Sequence, residues 1–113
     1  MPRLALLAES GQVCGFLLAR TAGPEWELEN LVVAPDRQRQ GLGTALVQAL
    51  LQHGRQQHAL AVLLEVRASN LAARALYHGC GFVEGGRRTR YYQHPEEDAI
   101  LYRYSLIDLP ATG

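Results

Sequence analysis

The spacing of apolar residues changes twice between residues 26 and 66. Trp26 to Ala34 is a run of β formers that Pro35 stops, as expected of a strand. Apolar residues then recur at helical spacing from Leu42 to His53, which predicts an amphipathic helix. Ala59 to Val66 is apolar on both faces, which is typical of a strand buried between layers in a parallel pair. This succession indicates an α/β or α+β protein with a mixed sheet.

Two apolar segments precede this region. Leu4 to Ala8 and Val13 to Arg20 are separated by a turn-forming stretch, which predicts a hairpin. Asn70 is a candidate N-cap for a short helix that follows the buried strand.

The remaining segments complete the order of elements. Phe82 and Val83 begin a further strand, and Ala99 to Leu106 supplies the last one after an Arg- and Tyr-rich loop. The predicted order is β-β-β-α-β-α-β-β, in a single domain over residues 1–113.

Composition excludes several classes of function. The chain has 113 residues and zero formal net charge, and its 11 basic residues are all arginine, so nothing favours nucleic acid or a membrane as partner. Cys14, Cys80 and the four histidines show no metal-ligand spacing, so we expect no metal. The two thiols are expected to be buried and reduced, and no stretch approaches the roughly 20 apolar residues of a membrane span. The sequence therefore predicts a cytoplasmic domain.

The segment between the third strand and the first helix carries two glycines, Gly41 and Gly43. Glycines there let the backbone curl so that consecutive amides point outward, where the helix dipole adds positive potential. Arg37 and Arg39 add cations nearby. These features predict a phosphate-binding loop, although its spacing is neither GxxxxGK nor GxGxxG. The alternative is an ordinary tight turn between a strand and a helix.

A glutamate, Glu65, interrupts the apolar strand. Burying a carboxylate is unfavourable unless it is paired or functional, and this one lies near the carboxyl end of a parallel strand, where open α/β sheets hold ligands. A carboxylate so placed could accept a proton from a nucleophile, directly or through a water. The alternative is a structural ion pair with Arg67, two residues further on the same strand face.

Tyr77 lies two helical turns beyond Asn70 and on the same face of the predicted short helix. Its hydroxyl could donate a proton or a hydrogen bond to a leaving group. The alternative is a boundary tyrosine that packs its ring and keeps its oxygen in water.

The glycine segment resembles a known cofactor motif. Gln38-x-x-Gly41-x-Gly43, following Leu31-Val32-Val33, is similar to the acetyl-CoA motif of the GNAT superfamily of N-acetyltransferases. The resemblance implies a splayed mixed sheet flanked by helices, with acetyl-CoA as cosubstrate. It implies cofactor contacts from Leu31, Val32, Val33, Arg39, Gln40, Gly41, Leu42, Gly43, Thr44 and Asn70.

Further motifs resemble the RimI branch of that superfamily. They lie at residues 64–70, 75–77, 81–82, 90–92 and 97–99, in the order that the branch shows. RimI enzymes acetylate the N-terminal alanine of a small-subunit ribosomal protein, so the resemblance implies a protein N-terminus as acceptor, such as that of a ribosomal protein. It implies that Glu65 is the general base and Tyr77 the general acid, in a direct transfer without a cysteine nucleophile.

Amine chemistry favours the same acceptor. An α-amine with a pKa near 8 is about one-tenth neutral at pH 7, whereas a lysine amine near 10.4 is about one part in 2,500 neutral. The free energy needed to deprotonate the amine at pH 7 is therefore roughly 3 kcal/mol lower for the α-amine than for lysine.

The chain departs from the family pattern at its start, which looks like the family's second strand without the usual first strand and helices. Either the start of the chain is misplaced, or the domain is short and a partner, such as a second copy in a homodimer, covers the exposed sheet edge. Glu29 is the second candidate base, because many superfamily members carry theirs on this strand, and we expect it to be solvated.

Two other functions stay open from the sequence. One is acetylation of a small amine or amino acid, and the other is a coenzyme A-binding module without catalysis. The shape of the region after Phe82 distinguishes a small-amine acceptor from a peptide acceptor, since a peptide needs an open groove and a small amine needs a closed pocket.

Overall fold

The predicted order of elements is confirmed in the computed structural model, which describes residues 2–9 and 11–107. A single mixed sheet carries two helices and one short 3-10 turn at Pro35–Arg37. The strands are β1 (Arg3–Glu9), β2 (Val13–Arg20), β3 (Glu25–Val33), β4 (Ala61–Arg67), β5 (Val83–Tyr92) and β6 (Glu97–Ser105). The helices are α1 (Leu42–Gln56) and α2 (Leu71–Gly79).

The sheet has the strand order β1-β2-β3-β4-β6-β5, and its only parallel neighbours among the described strands are β3 and β4. Their pairing extends over three residue pairs and ends at Glu27 and Leu63. Beyond that point β3 continues beside β2 as far as Val33, and β4 continues beside β6 as far as Arg67. The sheet therefore opens into a V between the two strands, as the predicted splayed sheet requires.

Both helices pack on one face of the sheet. Val62, Leu64 and Val66 of β4 are buried there, in one hydrophobic core with residues of α1 and α2. On the opposite face Leu63 and Glu65 are only half-buried, and no helix covers that face in the described part of the chain. The expectation of a strand buried between two layers is therefore wrong for β4. The face without helices is called the open face below.

The apolar face of α1 is shifted from the predicted one. Ala45 is exposed, and the buried positions follow a stripe that two glycines help to form. The buried residues are Gly43, Leu46, Val47, Leu50, Leu51 and Gly54. Neither helix of the described residues combines the length and the apolar character that crossing a bilayer requires.

The Arg- and Tyr-rich segment is part of strand β5, and its prediction as a loop is wrong. Its backbone pairs with β6, and two of its arginines pair with acids of the same hairpin: Arg87 with Asp98 at 3.1 Å and Arg90 with Glu96 at 2.9 Å. The strand becomes possible because its charges are neutralised locally and its backbone hydrogen bonds are met by β6. Strands β1 and β5 form the sheet edges, so the predicted homodimer contact would fall on β1 and stays a prediction.

Candidate functional site

A cavity of about 460 Å³ lies where β3 separates from β4. Its walls come from the end of β3, the loop after it, the start of α1 and one face of α2. The lining residues are Leu31, Val33, Arg37, Gln38, Arg39, Gly41, Leu42, Gly43, Thr44, Ala72, Ala73, Leu76 and Tyr77.

The backbone of β3 turns polar groups toward this gap at alternate residues. The Ala34 amide donates to the Cys14 carbonyl oxygen of β2 at 2.8 Å. Because successive peptide groups alternate along a strand, Leu31 and Val33 point theirs away from β2 and into the gap. The Gln38 side chain donates to the Val33 carbonyl oxygen at 3.2 Å, which agrees with that direction.

The first turn of α1 leaves its amides uncapped. Gly41 is the N-cap residue, with a φ of 80°, and no side chain caps the helix. The first helical hydrogen bond runs from the Ala45 amide to the Gly41 carbonyl oxygen at 3.0 Å. The amides of Leu42, Gly43 and Thr44 therefore have no acceptor within the helix. These donors line the cavity at the positive end of the helix dipole, which makes the loop a candidate anion site.

Arg39 adds positive charge to this loop. It is exposed and adopts a φ of 64°, and no acid of the described residues pairs with it. Arg37, half-buried, also lines the cavity.

The two glycines of the loop have different roles. A Cβ atom on Gly43 would lie 2.8 Å from Leu76 Cδ1 of α2, so this glycine lets the two helices approach each other. A Cβ atom on Gly41 would meet nothing within 4 Å, and glycine is favoured there by the left-handed φ.

Tyr77 packs its ring in the core and also borders the first cavity, so its position is compatible with both roles considered from the sequence. Its ring is buried, with centroids 5.7 Å from Phe82 and 6.4 Å from Tyr102, and it also lines the cavity. Burial, followed by the nearby Cys80, raises the pKa of Tyr77 to about 12. The hydroxyl is therefore protonated at neutral pH and available as a donor.

Three residues expected to contact a cofactor lie outside this lining. Val32 directs its backbone toward β2 and exposes its side chain on the open face. Gln40 is exposed and does not line the cavity. Asn70 caps α2, because its Oδ1 accepts a hydrogen bond from the Ala73 amide at 3.2 Å.

The wall formed by α2 was missed in the sequence. Ala72 and Ala73, together with Leu76, line the cavity opposite the glycine loop. The sequence feature that could have predicted this wall is the pair of adjacent small residues in the first turn of α2, one helical turn before Leu76 and Tyr77.

Glu65 faces a second cavity, of about 330 Å³, on the open face. Its partner is Arg88 of β5, at 3.1 Å. The ion pair considered with Arg67 is absent from the described residues, because Arg67 pairs with Glu97 at 3.3 Å. The cavity is lined by Glu27, Leu63, Leu64, Glu65, Gly85, Arg88, Leu101, Tyr102 and Arg103. Glu65 and Tyr77 thus lie on opposite faces of the sheet.

Glu29 is held in an ion-pair cluster, and the expectation that it is solvated is wrong. It is the extra residue of a bulge in β3, where the pairing with β2 shifts register. Its carboxylate accepts hydrogen bonds from Arg3 at 2.8 Å and Arg20 at 3.2 Å. The hydrogen bond from Arg3 is the largest cause that lowers the pKa of Glu29, and burial opposes it. A carboxylate held in this way is a poor proton acceptor.

A second cluster joins the β4–α2 loop to the β5–β6 hairpin. Glu97 accepts a hydrogen bond from the Ser69 amide at 2.5 Å. The Ser69 side chain, and after it this amide, lower the pKa of Glu97. The Arg67 guanidinium lies 4.2 Å from the ring centroid of Tyr92. Burial, then the carboxylate of Glu65, raises the pKa of Tyr92.

The two cysteines are free. Cys14 is buried and donates to the Ala8 carbonyl oxygen at 3.2 Å. Cys80 is half-buried, so the expectation of burial is only partly met, and burial raises its pKa. A raised pKa keeps the thiol protonated at neutral pH, which disfavours a nucleophilic role.

Comparison with known proteins gives consistent matches. The acetyltransferase (GNAT) family model matches residues 2–82. The ribosomal protein bS18-alanine N-acetyltransferase of Escherichia coli is 41% identical over 97 residues, covering 84% of this chain and 66% of that protein. The N-alpha-acetyltransferase RimI of Mycobacterium tuberculosis is 41% identical over 86 residues, covering 76% of this chain and 52% of that protein. The chain thus spans about two thirds or less of these relatives' length.

A solved structure has the same fold. The crystal structure of the ribosomal-protein-alanine N-acetyltransferase from Escherichia coli superposes with a TM-score of 0.87 at 35% identity. The superposition covers 98% of this chain and 74% of that one.

The burial of Tyr77 predicts a stability change at high pH. Its folded pKa of about 12 exceeds the ordinary value of 10.0, so folding favours the protonated form. The free energy of unfolding should fall as the pH rises from about 10 to about 12. Denaturant titrations over this range should show the fall, and Tyr77→Phe should remove much of it. An equally steep fall in the variant would contradict the assignment.

Proposed function

The chain belongs to the acetyltransferase (GNAT) family, and from that premise we propose that it transfers the acetyl group of acetyl-CoA to the N-terminal α-amine of a protein. The observation that carries the proposal is the gap between β3 and β4, which brings uncapped helix amides and free strand backbone into one cavity. The cytoplasm is the proposed location, since it keeps free thiols reduced.

The residues of the first cavity fit coenzyme A. The amides of Leu42, Gly43 and Thr44, with Arg39, offer donors and positive charge to a diphosphate. The backbone groups of Leu31 and the Val33 amide form a strand edge without a strand partner, which can hydrogen-bond an extended amide-containing chain such as pantetheine. The Val33 carbonyl oxygen already accepts a hydrogen bond from Gln38. When bound, acetyl-CoA would supply the reactive thioester.

The two proposed catalytic side chains approach the gap from opposite faces. Tyr77 lines the cofactor cavity and is protonated at neutral pH, so it can donate a hydrogen bond or a proton to a departing thiolate. Glu65 lines the open-face cavity, where it can accept a proton from the attacking amine. This division supports a direct transfer, with the cofactor on the helix face and the acceptor on the open face.

The shape of the second cavity supports a peptide acceptor over a small amine. One wall is the exposed edge strand β5, through Gly85 and Arg88, and no helix of the described residues closes the open face. Such a groove can admit the end of an extended chain. The Escherichia coli relative is named for the alanine of a ribosomal protein, so an N-terminal alanine of a ribosomal protein is the proposed substrate.

Replacing the proposed base should separate its role from that of Glu29. Glu65→Gln should lower turnover by roughly two to four decades at neutral pH, because the amide cannot accept the amine's proton. Affinity for acetyl-CoA should stay close to that of the wild type. Thiol release from acetyl-CoA, measured with short peptides that differ in their first residue, gives the turnover.

Glu29→Gln is the control for that experiment. Glu29 is already held by two arginines, so its replacement should reduce turnover far less than that of Glu65. A full-rate Glu65→Gln variant with an inactive Glu29→Gln variant would identify Glu29 as the base. If the folded wild-type chain binds acetyl-CoA but turns over none of the peptides, the result favours a coenzyme A-binding module without catalysis.

A charge placed at the glycine loop should test the diphosphate site. Gly41→Glu should weaken coenzyme A binding by roughly a hundredfold or more, because a carboxylate would repel the diphosphate at close range. Gly23→Glu is a matched control, since Gly23 has a φ of 78° against 80° for Gly41 and open space around its Cα. Isothermal titration calorimetry measures both affinities. If both variants weaken coenzyme A binding equally, the effect comes from backbone strain and not from charge at the diphosphate site.

A further inference from the structure

Arg88 is the counter-ion of the proposed base. Its Nη2 lies 3.1 Å from Glu65 Oε1 within the open-face cavity. The other arginine that lines this cavity, Arg103, is held by Glu25 at 2.6 Å. Among the described residues, the charge on Glu65 is therefore balanced at close range by Arg88.

The contact between Arg88 and Glu65 is of a kind that exchanges readily. The Arg88 side chain is 54% exposed and lies on the edge strand β5, just before a shift in its pairing with β6. Ion pairs with an exposed partner contribute little to stability. The guanidinium also lies 5.3 Å from the ring centroid of Tyr91, which offers it a second position through a cation–π interaction.

An acceptor amine meets Arg88 when it approaches Glu65. An α-amine is about nine-tenths charged at pH 7, so most acceptor molecules arrive as ammonium ions. Two cations that contact one carboxylate repel each other, and the repulsion is stronger in a partly buried cavity than in water. Binding of the ammonium therefore favours departure of the guanidinium.

Resting on the proposed function, we propose that Arg88 is an exchangeable counter-ion that the α-ammonium of the acceptor displaces from Glu65 toward Tyr91. Arg88 then acts as a positioning residue that sets the affinity for the acceptor. The acetylated product carries no ammonium, so it cannot hold Arg88 away from Glu65. Return of the guanidinium would favour release of the product over the unreacted acceptor.

Peptide binding to the coenzyme A-loaded chain tests this exchange. The probes are a short peptide with a free N-terminal alanine and the same peptide acetylated at its N-terminus. Arg88→Gln should lower the Kd of the free-amine peptide about two- to fivefold, the range expected for loss of a competing exposed ion pair. The Kd of the acetylated peptide should not change. Arg88→Lys keeps a competing cation and should bind both peptides as the wild type does.

Arg87→Gln is the matched control. Arg87 is adjacent on β5, 51% exposed and 3.1 Å from its own partner, Asp98, but it does not line the open-face cavity. Its replacement should leave both Kd values unchanged.

Steady-state kinetics give a second readout. Arg88→Gln should lower the KM for the free-amine peptide by about the same factor as its Kd and change kcat by less than about twofold.

The outcomes separate this inference from the proposed function. The exchange is overturned if Arg88→Gln leaves the Kd of the free-amine peptide unchanged or raises it, or if the Kd of both peptides shifts equally. The proposed acetyl transfer is not contradicted by that result. Absence of thiol release with tight, Arg88-dependent peptide binding overturns the proposed transfer and supports the exchange. Absence of peptide binding in every variant contradicts both.

Discussion

The short parallel contact between β3 and β4 is the constraint on which the rest of the structure depends. Three residue pairs join these strands, and the last is Glu27 with Leu63. Beyond it, each strand keeps its hydrogen bonds with an antiparallel neighbour, so the separation breaks neither half of the sheet. It leaves the inward peptide groups of Leu31 and Val33 without a strand partner. The Val33 carbonyl oxygen is met by the Gln38 side chain, and the remaining groups require water or a ligand. A longer parallel pairing would close the gap and remove those groups.

The two strands that diverge at the gap carry the two candidate bases, Glu29 on β3 and Glu65 on β4, and the surroundings of these carboxylates differ. Glu29 is fixed by two arginines from β1 and β2, and its pKa is lowered. Glu65 has a single close partner, Arg88, on an exposed edge strand. Breaking the first cluster removes charge-assisted hydrogen bonds from two arginines, whereas breaking the second contact moves one exposed side chain. This difference supports the proposal that Glu65, and not Glu29, accepts the proton.

Local patterns predicted most of the fold and the glycine loop, because strand alternation, helical spacing and capping depend on neighbouring residues. The N-cap role of Asn70 and the position of α1 are examples. The partner of Glu65 could not be predicted, since it depends on how β5 and β6 pair with β4, far along the chain. The same pairing converts the Arg-rich segment into a strand. Strand alternation alone could have excluded Val32 from the predicted cofactor contacts, because its backbone and side chain face away from the cavity.

Residue-resolved amide hydrogen exchange, with and without coenzyme A, tests the role of the gap most directly. We expect coenzyme A to slow exchange at Leu31 and Val33 and in the first turn of α1. Val32 should change little, because its amide already faces β2. Saturation with coenzyme A that leaves Leu31, Val33 and the start of α1 unprotected would contradict the account.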